Sequence, residues 1–466
     1  MKISVPMKKR WATVMPVAAA VLFALPAHSQ AVSTYPTNSL TTLPDTPAST
    51  LLLPYFEVDL SNSNGMNTIM TVNNAGATSF INFGGPTSVP NQNGATAILT
   101  HVTIWSDLGV PVFGFNVYLT GYDVERINLR SVLTGTLPQT ASAGQDPGDH
   151  ISPKGTKSQD INFASCNGQL PYAGLTSTQI AHLQNSLTGH ASASAGGQCA
   201  GLDHGDNIAR GYVTVDVVNN CTTRTPADSG YTSDMTKQVQ LTGEVYYNDP
   251  AHGITRGSNL VHIHSDAANT SAFSNGSYTF YGRYTGFDAT DQRQPLATTF
   301  TARFLGGSFA ASATAPSGTN TGAWGSVPTS SPTSGGSTSL IVWRDPKISQ
   351  SYFTCGVTPS WYPLTQTVID AFDEQEHVTT ITGVTPFGAA TQIVKIGGSS
   401  LPVTPLSGSL LLNLNVTVTG QPANLTDQAA AQAWVEVVEQ NGTKLLNVQH
   451  RAAQLDHANN AIHVIP

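Results

Sequence analysis

His262, His264 and Asp266 fall at i, i+2 and i+4 of a segment whose alternation reads as a β-strand. Successive strand side chains point to opposite faces, so all three share one face. Two imidazoles and a carboxylate on one face form a donor set for zinc or another divalent cation. Asp203, His204 and Asp206, in a Gly-rich loop, could add ligands. His-x-His pairs also arise by chance, so a polar strand face is the expectation and a metal site its rival. A second acidic run, Asp370, Asp373, Glu374 and Glu376 beside His377, offers the carboxylates that hold calcium in extracellular proteins. It lacks the Asp/Asn-Gly spacing of an EF-hand loop and reads as a solvated turn or strand edge, where charge discourages edge-to-edge pairing.

Nucleophile signatures are missing. The chain has no GxSxG elbow, no HExxH and no P-loop. Folding could assemble a Ser-His-Asp triad or a glycosidase carboxylate pair, but no spacing singles out their members. Aromatics cluster at Tyr278, Phe280, Tyr281 and Tyr284 and at Trp343, Tyr352, Phe353, Trp361 and Tyr362. Exposed rings could stack on sugars; burial in a β-sandwich core is the expectation. The four cysteines, Cys166, Cys199, Cys221 and Cys355, contain no CxxC, which removes zinc-ribbon and thioredoxin readings. An even count in an exported chain implies two disulfides. Of three possible connectivities, Cys166–Cys199 with Cys221–Cys355 is preferred, because the first would staple one local excursion.

Export is written at the N-terminus. Lys2, Lys8, Lys9 and Arg10 precede the apolar run Trp11 to Leu25, and small residues follow at Ala27, Ser29 and Ala31. That order marks residues 1–31 as a secretory signal peptide, cut after Ser29 or Ala31. Its removal takes four of the 20 basic residues and none of the 28 acidic ones, so the net charge falls from −8 to −12. So few basic residues argue against a nucleic-acid partner, which needs basic patches to neutralise phosphate. No later run is long and apolar enough for a transmembrane helix. The mature chain is expected outside the cytoplasm, secreted or at the cell surface or in the periplasm.

The elements that must position these residues are strands. Residues 32–50 read as an extended lead-in. From Leu51 onward, period-two alternation recurs between short turns. Ile98, Val102 and Ile104 oppose His101, Thr103 and Trp105; Val213, Val215 and Val217 oppose Tyr212, Thr214 and Asp216. This is the pattern of antiparallel sheets. Ser277 to Tyr284 continues it as a strand, and Leu340 to Trp343 resumes it after a Gly/Ser-rich loop at 306–338. One helix stands out: Thr176 and Gln179 form a capping box, Ile180, Leu183 and Leu187 an apolar stripe, and Gly189 the stop. It lies in an inserted, disulfide-held excursion at 138–205. Near the end, Asn441-Gly442 between two strands signals a hairpin.

The fold class is therefore all-β, with antiparallel Ig-like or jelly-roll-like sandwich units and one short helical insertion. Residues 51–136 hold too few strands for a generous sandwich, and the strands of 405–466 are expected to complete it. That leaves 137–404 as a second β unit; two sequential domains are the rival.

The stretches Leu51-Leu52-Leu53-Pro54-Tyr55-Phe56, Ala209 to Asp216, Tyr278 to Tyr284 and Gln294 to Phe300 resemble those of an uncharacterised family of secreted bacterial proteins. No activity, ligand or catalytic residue is assigned to that family, so the resemblance implies export and carries over no site. The leading expectation is a non-enzymatic exported β-sandwich protein, binding or structural, without a cofactor. Carbohydrate or another surface protein would be its partner. The rivals are a secreted polysaccharide hydrolase, metal-assisted near His262 and His264, and a calcium-dependent carbohydrate-binding module.

Overall fold

The computed structural model describes residues 46–75, 97–119, 123–138, 164–166, 169–170, 172–265, 279–285, 291–305, 336–345, 349–366, 368–405, 407–415, 432–441, 444–450, 454–456 and 461–463. Alternation builds the first sandwich from β1 (Thr50–Asp59), β2 (Asn67–Asn74), β3 (Ile98–Ser106), β4 (Pro111–Leu119), β5 (Val124–Asn128), β6 (Ile208–Val218), β7 (Leu241–Asp249), β8 (Ile254–Asn259) and β9 (Val261–Ile263). One sheet runs β4-β3-β6-β1-β9 and the other β5-β2-β7-β8, with antiparallel neighbours throughout. Leu51, Leu53, Val102, Ile104, Val213 and Val215 of the first sheet meet Met70, Val72, Ile127 and Val245 of the second in one core. The short helix α1 (Leu129–Leu133) follows β5 and is capped by the Asn128 side chain.

Four more elements precede or begin the second sandwich: α2 (Ser177–Leu187), α3 (Tyr231–Asp234), α4 (Gly282–Thr285) and β10 (Thr299–Leu305). Its other strands are β11 (Gly336–Arg344), β12 (Val368–Phe372), β13 (Val378–Thr380), β14 (Thr391–Lys395), β15 (Ser407–Asn413), β16 (Ala433–Asn441) and β17 (Lys444–His450). They form the sheets β10-β15-β12-β13 and β14-β11-β16-β17. Phe300, Phe304, Ile369, Leu410 and Leu412 pack there against Leu340, Val342, Val394 and Val435. A buried guanidinium closes one end of this sandwich. Arg344 donates to the carbonyls of Leu364, Thr365, Phe387 and Leu414, and burial lowers its pKa to about 9.

The sheet β4-β3-β6-β1-β9 is covered on both sides, which is why β3 is buried along its whole length. Its second face carries Leu52, Trp105 and Tyr212. These pack with Val261, Phe280, Tyr281, Trp343, Ala390 and Trp434 in a core shared by the two sandwiches. Trp105 stacks on Tyr212 at 5.3 Å, and Tyr212 meets Trp343 edge to face at 5.8 Å.

Four expectations are corrected. The strands after residue 405 do not complete the 51–136 unit; β15 pairs with β10 and β12, and β16 with β11 and β17. The first sandwich is completed instead by β6 to β9, immediately downstream of the excursion. Of the 277–284 strand, 277–278 lie outside the described residues and 279–281 is a turn that leads into α4, with Phe280 and Tyr281 both in the shared core. β11 starts at Gly336 rather than Leu340; residues 306–335 of the expected loop lie outside the described residues. The disulfides are Cys166–Cys221 and Cys199–Cys355.

The pairing changed because neighbours in sequence are not neighbours here. β6 carries the chain back beside β3, and Cys221, just past its end, meets the turn at Cys166. Cys199 instead exchanges two backbone hydrogen bonds with Phe353, at 2.9 and 3.0 Å, which brings Cys355 to it. The helix was legible: α2 has both arms of the Thr176–Gln179 capping box, and Gly189 adopts a φ of 78° two residues past its end. Residues 139–163 of the excursion lie outside the described residues.

The two crosslinks close stretches of 55 and 156 residues. The chain-entropy relation gives about 4 and 5 kcal/mol for loops of those lengths. Non-reducing peptide mapping is expected to recover Cys166–Cys221 and Cys199–Cys355. The double variant C199S/C355S is expected to lose about 2–5 kcal/mol in urea unfolding.

Candidate functional site

The histidine pair lies at the edge of the five-stranded sheet. His262 Nδ1 is 2.7 Å from the Thr46 carbonyl, and His264 Nε2 is 3.0 Å from the Thr46 hydroxyl. Burial first, and then His262, lowers the His264 pKa to about 4, so its ring is neutral. Asp266 lies outside the described residues. The loop candidates each face a different partner. Asp203 accepts from the Gly205 amide, His204 meets Asp107 at 2.9 Å, and Asp206 takes Arg210 through both oxygens. No group of three or more metal-ligating side chains forms among the described residues. The acidic run makes the turn of the β12–β13 hairpin, where Asp373 accepts from the Gln375 and His377 amides and meets the His377 ring.

Folding does bring a serine to a histidine. His182 Nδ1 lies 2.6 Å from Ser192 Oγ, and its Nε2 lies 3.2 Å from the Val112 carbonyl and from Tyr352 Oη. A proton on Nε2 would leave Nδ1 to accept from Ser192, the orientation of a general base. Ser192 is fully buried, however, and a carbonyl stands where an orienting carboxylate would. The pair pins the excursion to β4 and to the 349–366 segment.

The densest polar cluster lies inside the protein. Asp216 on β6 has no exposed surface. Its carboxylate accepts from Tyr231 Oη at 2.7 Å, Tyr281 Oη at 2.8 Å and the Thr50 hydroxyl, with Arg293 Nε 3.4 Å away. Arg293 also donates to the Thr236 carbonyl and lies 3.6 Å from Asp291. Burial, then the Asp216 charge, holds both tyrosine hydroxyls well above their ordinary pKa. These groups are mutually satisfied and shut off from water, so they hold segments together.

A second buried acid sits between the sandwiches. Glu436 on β16 is 2% exposed and accepts from Ser258 of β8 at 3.4 Å. Burial raises its pKa to about 7; Arg256, stacked on the Tyr247 ring at 4.2 Å, offsets part of that rise.

Among the described residues, one polar sheet face that stays open is the outer face of the sheet β5-β2-β7-β8. Its inner face supplies the core, so strand parity puts Ile69, Thr71 and Asn73 of β2 outside, beside Thr242, Glu244 and Tyr246 of β7. Tyr246 is 41% exposed and stands across from Gly257 of β8. Its ring carbons come within 3.1–3.2 Å of where a Gly257 Cβ would be, so the ring lies against the bare glycine backbone. Tyr246 Oη donates to Glu244, which raises its pKa and fixes the ring. Arg126 of β5 pairs across Thr71, in the row that ends on Glu244. Sequence reasoning missed this face. Its signal was present in Leu241 to Asp249, where an aromatic occupies the polar phase of an alternating strand.

Two outcomes follow. Asp216→Asn leaves Arg293 without its nearest buried counter-charge and is expected to cost about 3–5 kcal/mol in urea unfolding. The double variant D216N/R293M should cost less than the sum of the single changes. For Glu436, the folded state holds its proton up to about pH 7, whereas the unfolded carboxyl ionises near 4.5. The unfolded state therefore binds fewer protons between those values, and stability falls as pH rises through that window. Glu436→Gln removes this loss, so its stability relative to wild type should grow from pH 5 to pH 8 by on the order of 3 kcal/mol in parallel denaturation curves. No known protein family, curated protein or solved structure matches this chain.

Proposed function

We propose that this chain is an exported, non-enzymatic binding protein that acts outside the cytoplasm as a rigid pair of β-sandwiches. The observation that carries the reading is the Cys199–Cys355 crosslink, which fastens the helical excursion of the first sandwich to the 349–366 segment of the second. All four cysteines are paired, and such crosslinks persist in oxidising compartments. The signal-like N-terminus agrees with that location. No helix among the described residues is long and apolar enough to cross a membrane. The buried carboxylates Asp216 and Asp107 are engaged by internal donors, which suits a scaffold better than a reaction centre. The partner in this reading is a carbohydrate or a surface protein and is not a nucleic acid, given the acidic balance of the chain.

Expression of the full chain in a bacterium followed by fractionation tests the proposal. The expected product lies outside the cytoplasm, begins after Ser29 or Ala31, and contains no titratable thiol. An uncut cytoplasmic product with four thiols would overturn it. Release of reducing ends from a polysaccharide panel by the purified protein would replace it with the hydrolase reading.

A further inference from the structure

We infer that the open face of the sheet β5-β2-β7-β8 binds a neutral, extended polysaccharide chain, with Tyr246 as its stacking platform. The inference rests on the binding reading above and names its site and ligand class. Three observations point to a sugar chain. The Tyr246 ring has one side against the Gly257 backbone, and 41% of the residue is exposed. A Cβ at 257 would press on the ring and force it to give by a few tenths of an ångström, so the glycine lets the ring lie close to the sheet, with an apolar surface exposed to the C–H face of a pyranose. The ring is held in place before any ligand arrives, because its hydroxyl is tied to Glu244. A preset platform loses little side-chain entropy on binding.

The surroundings match hydroxyl groups. Thr71, Thr242 and Asn248 share the face with Tyr246 and supply neutral donors and acceptors. Glu244 and Arg126 add one charge of each sign. That local balance of zero suits an uncharged ligand, and the net charge of −12 expected once residues 1–31 are removed repels polyanions. Four strands about 4.8 Å apart make a platform about 14 Å across. An open sheet face would cover only one side of a single sugar, so affinity must accumulate over successive rings of an extended chain.

The test is affinity electrophoresis of the secreted protein in native gels containing soluble neutral polysaccharides (xyloglucan, galactomannan, laminarin and soluble starch) or, as the charged comparison, polygalacturonate. Retardation by at least one is expected. Y246A should weaken it at least about ten-fold, about 1.4 kcal/mol. Y246F keeps the ring and should stay within about three-fold of wild type, while T301A on the outer sheet of the other sandwich should change nothing. T71R, which places a long cation beside the platform, gives an independent loss if Y246A fails to fold. Migration unaffected by every neutral polysaccharide overturns the inference, as does binding that survives both Y246A and T71R. Retardation only by polygalacturonate overturns the neutral-ligand assignment. Any of these failures leaves export, cleavage and disulfide state untouched, so they are distinguishable from failure of the wider reading.

Discussion

A carboxylate with no access to water, that of Asp216, sits where β1, β6, α3 and the stretches 279–285 and 291–293 meet. A buried charge is tolerated only when it is paired and hydrogen-bonded. The donors reach β6 from elsewhere in the chain: Thr50 from β1, Tyr231 from α3, and Tyr281 and Arg293 from the stretches 279–285 and 291–293. All four segments must therefore be in place before any of them is stable against the sheet. Apolar residues of the same volume could pack there at similar stability. What the charge adds is a constraint on register, since both the Tyr231 and the Tyr281 hydroxyl are aligned on it. One of the stretches it fixes, that of Tyr281 and Arg293, lies between β9 and β10, where the chain passes from the first sandwich to the second.

The junction between the sandwiches follows from that arrangement. With α4 and its flanks held on the sheet, Arg283 reaches Asp345, and its guanidinium lies 4.4 Å from the Tyr284 ring centre. Gln432 then bridges Asp345, the Phe280 carbonyl and the Leu296 amide. On the opposite flank the Thr391 hydroxyl donates to the Pro54 carbonyl, and its amide to that of Asp107. Backbone of β14 is thus hydrogen-bonded to the turn between β3 and β4. An interface with this many directional contacts does not slide, and the disulfide at Cys199 closes it covalently.

Local patterns in the sequence went a long way. The parity of β3 and β6, the capping box of α2 and the stop at Gly189 were all legible because each depends on residues within a few positions of one another. Long-range facts were not. Nothing local distinguishes a partner for Cys221 at position 355, as expected, from the observed one at 166, since that depends on β6 returning beside β3. The 279–285 stretch was read as a strand because its aromatics happen to fall at near-alternate positions; burial of both Phe280 and Tyr281 breaks that parity. Nothing in the sequence singles out Arg344; only the arrival of four carbonyls from distant segments makes it a plug.

The candidate site shows the same limit more sharply. β6 reads as Tyr212, Thr214, Asp216 on its polar phase, and β7 as Thr242, Glu244, Tyr246. By composition the two phases are nearly alike: each mixes a tyrosine, a threonine and an acid. Yet the first is sealed under α3 and α4, whereas the second holds exposed residues. What separates them is cover. The chain after β6 folds back over its own strand through Tyr231 and is held there by Asp216. The chain after β7 turns directly into β8, which extends the sheet sideways and adds nothing above it. A polar phase buried by its own downstream segment becomes a structural hub, and one continued by a hairpin stays available to a ligand. Connection length after each strand is therefore the signal that parity alone lacks: more than twenty residues separate β6 from β7, but only four separate β7 from β8.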